Sequence, residues 1–324
     1  MSLEDCELKS LLDAVDAQNL DLMESLLKKG TDPNEVYYTF DWTALHFICS
    51  EHKLTKIHLK MIQFLIQYGA DVNIQDADGN SPMMILFNKE YNESNGMGLR
   101  IEALELLLKN GADVTLVNND GETIFRNIIL YNPANPDTAV ALEVLLKNGA
   151  NPNMVDGEDM TALNFLCSQP CFTRVHLKMI QILIQYNADV NIQDQDGHSP
   201  IMNLFRGAKN YKLRLEVFKL LLENGTDVTL VDHRGDTILH IIFYYNAANN
   251  PFLLEAVELL LKSGIDVNIK NDDGYSAFHE ANSYLKHRKV IELLLKNGAD
   301  PNGMVDNSMP PTDFLSFYWQ SKMG

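Results

Sequence analysis

His279-Glu280 opens like HExxH, the phrase that sets two imidazoles one helical turn apart on a zinc ion, but Ser283 stands where the second histidine belongs. The nine histidines are otherwise scattered. No GxxxxGK[ST] loop is present to cradle phosphates, no GxSxG elbow to present a nucleophile, and no kinase-type glycine loop. Paired carboxylates do recur, at Asp76 and Asp78, Asp120 and Glu122, Asp156, Glu158 and Asp159, Asp194 and Asp196, Asp232 and Asp236, and Asp272 and Asp273. General acid-base work needs an apolar pocket to shift such groups, and a polar turn that repeats along the chain suggests none. Cys6, Cys49, Cys167 and Cys171 form no CxxC pair. These residues point to a non-enzyme with no catalytic residue, no cofactor and no metal.

The acids are placed by a repeat. A nine-residue phrase reads LLKKGTDPN at 26, LIQYGADVN at 65, LLKNGADVT at 107, LLKNGANPN at 145, LIQYNADVN at 183, LLENGTDVT at 221, LLKSGIDVN at 260 and LLKNGADPN at 294. From Gly30 through Gly69, Gly111, Gly149, Asn187, Gly225 and Gly264 to Gly298, the steps are 39, 42, 38, 38, 38, 39 and 34 residues. A period in this band means stacked units, each burying its apolar face against its neighbours. The phrase predicts a helix with a basic last turn and a left-handed glycine exit, with Asn187 in the one place where glycine is replaced. A turn follows, with Gly79, Gly121, Gly197, Gly235 or Gly274, and two residues later a hydroxyl that can cap a second helix: Ser81, Thr123, Ser199, Thr237 or Ser276. Thr43 and Thr161 hold that place after Asp41 and Asp159, and Pro82 and Pro200 fall at the first helical position.

These units resemble ankyrin repeats. Thr43-Ala44-Leu45-His46, Thr237-Ile238-Leu239-His240 and Ser276-Ala277-Phe278-His279 match the family's T-P-L-H phrase, and the GADVN endings match its second-helix exit. The resemblance implies an all-α ankyrin-repeat solenoid over 1–303, with repeats at about 1–37, 38–75, 76–117, 118–154, 155–193, 194–231, 232–269 and 270–303. Residues 304–324 then form a C-terminal capping half-repeat. It also implies that His46, His240 and His279 hydrogen-bond locally and bind no metal, and that Met84, Arg126, Asn164 and Met202, which take the histidine place elsewhere, weaken that local bonding. His58 and His176 start second helices and read as polar flanks. Asn34, Asn73, Asn191, Asn268 and Asn302 are similar to the asparagines that hydroxylases accept in such repeats, although an Asn there also stabilises the turn.

Two features are private to this chain. The period exceeds the usual ~33 residues, and the excess falls between the two helices of a unit. Residues 38–154 also align with 155–269 as a duplicated block, with HLKMIQFLIQYGADVNIQD at 58 repeated as HLKMIQILIQYNADVNIQD at 176. Cys49 and Cys167 are equivalent in that block and read as buried reduced thiols.

With 26 basic and 44 acidic residues the net charge is −18, which disfavours nucleic acid. No apolar run approaches the ~20 residues that cross a bilayer, and the N-terminus lacks a signal-peptide pattern. The expectation is a cytoplasmic or nuclear monomer that touches no membrane and binds a protein partner with a basic surface. Aspartate closes such turns with its own side chain, and an acidic rim would also steer a basic partner. The residues expected at the partner surface are Trp42, Tyr275, Asp76, Asp120, Asp194, Asp232, Tyr38 and Met160, with Trp42 and Tyr275 exposed on the turns. The aromatics near the long loops, Tyr91, Tyr131, Phe172, Tyr211, Tyr244, Tyr245 and Phe252, are expected to pack back. The resemblance leaves two other roles open: a substrate-recruiting subunit of a ubiquitin ligase acting through the tail, and a bacterial or viral effector that sequesters a host protein.

Overall fold

The computed structural model describes residues 10–37, 40–88, 97–131, 133, 135–206, 210–245, 252–281 and 288–301. These residues form helices and isolated bridges but no strand. The chain divides into two units, Met1–Gln195 and Asp196–Gly324.

In the first unit the leading helices are α1 (Leu11–Asp16), α3 (Ala44–Ser50), α5 (Pro82–Leu86), α7 (Ile124–Tyr131) and α9 (Ala162–Ser168). Each pairs with the helix that follows: α2 (Leu20–Lys28), α4 (Lys56–Gln67), α6 (Met97–Lys109), α8 (Pro136–Lys147) and α10 (Arg174–Gln185). Leading helices stack on leading helices and following on following, from α1 to α9 and from α2 to α10. The second unit repeats the plan with α11 (Pro200–Phe205), α13 (Ile238–Tyr245) and α15 (Ala277–Glu280) stacked in one row, and α12 (Tyr211–Glu223), α14 (Leu253–Lys262) and α16 (Arg288–Lys296) in the other.

Local chemistry sets these boundaries. Ser81 and Thr161 cap α5 and α9 by accepting from the backbone N–H of Met84 and Asn164, and Pro82 and Pro200 sit at the first turn, where the missing N–H costs nothing. At the other end of α4, Gly69 N donates to the Ile66 carbonyl at 3.0 Å and Ala70 N to the Leu65 carbonyl at 2.9 Å. This closure needs a left-handed residue; Gly69 has φ +93°, and Asn187 takes the same role at φ +64°. The phrase leucines Leu65, Leu107, Leu145 and Leu183 are fully buried in the first unit, as are Leu221, Leu260 and Leu294 in the second. Each contributes roughly 1.5–3 kcal/mol of burial.

Cys49 and Cys167 are buried and form no disulfide, and burial pushes the Cys49 thiol up to about 12. They are packing residues. Among the described residues no helix is long and apolar enough to cross a membrane.

Candidate functional site

Between successive helix pairs the chain projects a short finger, closed by its first residue. Asp76 Oδ1 accepts from the backbone N–H of Asp78 at 3.0 Å and of Asn80 at 2.7 Å, while Asp76 N reaches the Asn80 carbonyl at 3.0 Å. Asp156 and Asp232 do the same for their own turns, and Asn118 and Asn271 supply an amide oxygen instead. Any short side chain with an acceptor oxygen closes this turn, which is why either Asp or Asn stands there.

The fingers are bonded to one another. In the first unit Ala77 N donates to the Phe40 carbonyl at 2.9 Å, Asn119 N to Asp78 at 2.9 Å, Gly157 N to Gly121 at 2.9 Å and Gln195 N to Glu158 at 3.2 Å. In the second, His233 N donates to Asp196 at 3.1 Å and Asp272 N to Arg234 at 2.9 Å. This approach is so close that a Cβ on Gly121 would lie 2.7 Å from Gly157 Cα. A parallel row runs along the helix exits: Asn73 Nδ2 donates to the Gly111 carbonyl at 2.9 Å and its Oδ1 accepts from Asp113 N at 2.6 Å. Asn34 and Asn268 repeat this bridge, so the amide an asparaginyl hydroxylase would have to draw out is held on both sides. Asn302 lies outside the described residues.

The expected rim is therefore corrected. Asp76, Asp194 and Asp232 are only 7%, 7% and 6% exposed, because a carboxylate at the first finger position faces the backbone N–H groups of its own turn. Burial raises the Asp232 pKa, but bonds from His198 and from the Asp236 and Arg234 amides outweigh it and hold the carboxyl below its usual value. The acids that face solvent stand two residues further on, at Asp78, Asp120, Glu158 and Asp196; of the expected rim acids, Asp120 is outward.

Trp42 is half-buried, contrary to expectation. Its Nε1–H donates to Asp76 Oδ2 at 3.0 Å and its ring meets Phe47 edge-on at 5.0 Å. Tyr275 is 46% exposed, as expected. Met160 is half-buried and Tyr38 lies outside the described residues. Of the loop aromatics, Tyr131 and Phe172 pack inward, while Tyr211 and Phe252 are half-buried. Tyr244 and Tyr245, in the last turn of α13, are exposed, and Tyr91 is outside the described residues.

The histidines do more than bond locally. His46 Nδ1 accepts from Thr43 N at 3.2 Å, so its Nε2 carries the proton and donates to the Asn80 carbonyl of the next repeat at 3.2 Å. His240 bridges to the Tyr275 carbonyl in the same way. Where the histidine is replaced, bonding persists. Asn164 accepts from Thr161 Oγ1 at 2.6 Å, and Arg126 reaches Asp156 Oδ2 at 2.7 Å with its guanidinium 4.8 Å over the Phe165 ring. His58 and His176 are buried capping-box residues rather than polar flanks. His198 sits between Asp232 Oδ2 and Arg206 Nη1, each at 3.3 Å.

Sequence reasoning missed two arginines. Arg100 is fully buried on α6, and its guanidinium donates to the carbonyls of Leu86 at 2.9 Å, Glu51 at 2.6 Å and His52 at 3.3 Å. It thereby neutralises the carbonyl ends of α3 and α5 at once. Arg214 is its counterpart in the duplicated block, 1% exposed and bonded to the Leu204 carbonyl at 2.5 Å. The shared phrase, LRIE and LRLE, was the available signal.

Known proteins share this repeat plan. A segment of an ankyrin repeat protein of Acanthamoeba polyphaga mimivirus is 31% identical over 130 residues, 36% of this chain and 22% of that one. An ankyrin repeat protein of Rickettsia felis is 38% identical over 81 residues, 25% of this chain and 33% of that one. Human ankyrin repeat and SOCS box protein 6 is 31% identical over 110 residues, 34% of this chain and 24% of that one. The matched segments thus span a third or less of these relatives. The family model for ankyrin repeats, three copies at a time, matches residues 11–118, 94–194, 134–232 and 204–304. Its windows leave only the two ends unmatched, and the chain belongs to the ankyrin-repeat family, whose repeats serve as protein-protein interaction modules.

Proposed function

We propose that the chain is a non-enzymatic scaffold or inhibitor that takes a basic protein partner on its finger rows as a cytoplasmic monomer, with no part for nucleic acid or membrane. The observation that carries this reading is the outward acid at the third position of three successive fingers of one unit, Asp78, Asp120 and Glu158, on fingers joined to one another by backbone hydrogen bonds. A charged row of this kind raises the rate of encounter with a basic surface, and its fixed backbone leaves little to order on binding. Tyr275 and Met160 supply contact area, while Asp76, Asp194 and Asp232 act indirectly by shaping the turns.

The test is association kinetics with a partner captured from a matched lysate. Reversal of Asp78, Asp120 and Glu158 to lysine is expected to slow association most at low salt. Binding that survives this reversal but is lost when the loops at 88–98 and 206–212 are shortened would transfer the function to the loops.

A second reading, a substrate-recruiting ligase subunit, draws on the likeness to ankyrin repeat and SOCS box protein 6. Deleting 304–324 separates the two: selective loss of ligase recruitment favours the adaptor, and loss of stability favours a cap. Likenesses in a virus and in Rickettsia keep a host-directed effector in view, and genomic neighbourhood tests it.

A further inference from the structure

We infer that the finger at Phe40 carries a preformed aromatic shelf that seats one apolar side chain of the partner, whose basic residues then run toward Asp78, Asp120 and Glu158. This rests on the finger-binding reading and gives the partner a chemistry and a direction.

Phe40 is 60% exposed, the most of any described large hydrophobic residue. Scattered exposed hydrophobics are ordinary, but this one is continuous with others. Its ring lies 6.5 Å from Trp42, and Trp42 lies 5.0 Å from Phe47 on α3, so three rings descend from fingertip to helix. The shelf is held still: Asp76 fixes the indole at 3.0 Å, and the Phe40 carbonyl accepts from Ala77 N at 2.9 Å. The link between fingers uses the Phe40 carbonyl, and the phenyl ring keeps most of its surface open to solvent. Rigid aromatics beside a charged rim are what interface anchors are made of.

Charge selects the occupant. The fingers that follow in this unit present Asp78, Asp120 and Glu158, so the complement is an apolar residue leading a basic segment. Adjacent helix layers pack roughly 8–10 Å apart, about three residues of extended chain, so a cation at every third position matches the tips. Tyr244 and Tyr245, exposed in the second unit, do not fit such a partner. Arg206 already lies 5.8 Å over the Tyr245 ring, and Arg234 stands nearby, 3.7 Å from Asp273.

The probe is a labelled synthetic peptide, acetyl-Leu-Phe-Gly-Lys-Gly-Gly-Lys-Gly-Gly-Lys-amide, titrated against the full chain at low salt. We expect saturable binding, none by the version with glutamate for lysine, and a weakening of at least about tenfold in Phe40→Ser with an essentially unchanged melting temperature, since the residue is 60% exposed. No binding by the lysine peptide, equal binding by the glutamate peptide, or full affinity in Phe40→Ser overturns the proposal. Loss of binding in the Asp78→Lys, Asp120→Lys, Glu158→Lys variant but not in Phe40→Ser removes the shelf alone and leaves the fingers. A captured partner that ignores both variants and departs only on trimming 88–98 removes the finger reading itself.

Discussion

The indole N–H of Trp42 and the carboxylate of Asp76 meet at 3.0 Å across 34 positions of sequence, joining one finger to the next. Asp76 thus serves its own turn with one oxygen and its neighbour with the other. Trp42→Phe keeps most of the ring and removes the bond, so a loss of about 1–2 kcal/mol is expected. Trp42→Ala also removes the contact with Phe47 and should cost about 2–4 kcal/mol. Urea unfolding measures both. A Trp42→Ala variant as stable as the parent would return Trp42 to the role of a partner contact only.

The two glycine rows respond differently. A Cβ on Gly149 meets nothing within 4 Å, so Gly149→Ala pays only for its φ of +87°, about 1 kcal/mol. Gly149→Asn should cost less, since Asn187 already adopts that conformation. Gly121→Ala adds a backbone collision to the same strain and is expected to cost roughly 2–3 kcal/mol or more. Paired thermal melts decide it, and equal losses at Gly121 and Gly149 would contradict the close finger contact.

Arg100 holds carbonyls from two helix ends and the segment between them. Arg100→Met leaves those carbonyls buried without a donor, an expected loss of about 3–5 kcal/mol. Arg100→Lys should rescue little, because one ammonium cannot span the fork of a guanidinium. Recovery of parental stability in Arg100→Lys would show that charge alone suffices.

His46, His58, His240 and His279 each accept a backbone N–H at Nδ1, from Thr43, Thr55, Thr237 and Ser276. Burial lowers all four pKa values, with Lys270 adding to the effect at His279. The unfolded chain therefore takes up protons first. Their stabilisation is complete above about pH 6.5 and declines as pH falls through the lowered folded values, by at most about 1.4 kcal/mol per pH unit for each histidine. Denaturant midpoints at pH 7.5 and 5.5 test the sign. His46→Asn, which copies the residue at Asn164, should show a smaller acid loss than the parent.

The helix exits were legible because glycine before an acidic turn has few uses other than a left-handed cap, and Asn187 was the one residue type that could stand in. The finger residues were legible as a class but not by orientation. Asp76 and Asp78 have the same chemistry, and only the backbone path decides which carboxylate turns inward. Nothing near Arg100 in the sequence marks its partners, because the carbonyls it serves lie 48 and 49 positions earlier at His52 and Glu51. Trp42 misled for the same reason: its partner belongs to the next finger. Local propensity is written in neighbouring residues, whereas these contacts join residues one repeat apart.

The amide links between fingers carry a consequence for aggregation. Five of the described hairpins hold a single antiparallel bridge, as between Val117 and Thr123 or Val155 and Thr161, and successive fingers donate an outward N–H to a carbonyl on the finger before. Unpaired strand edges are where foreign chains add and fibrils begin. Within a unit, the groups that such a chain would use are already engaged, and the ribbon between them is too short to template a strand. The fingers can therefore line up as a sheet does while giving a misfolded neighbour nothing to extend.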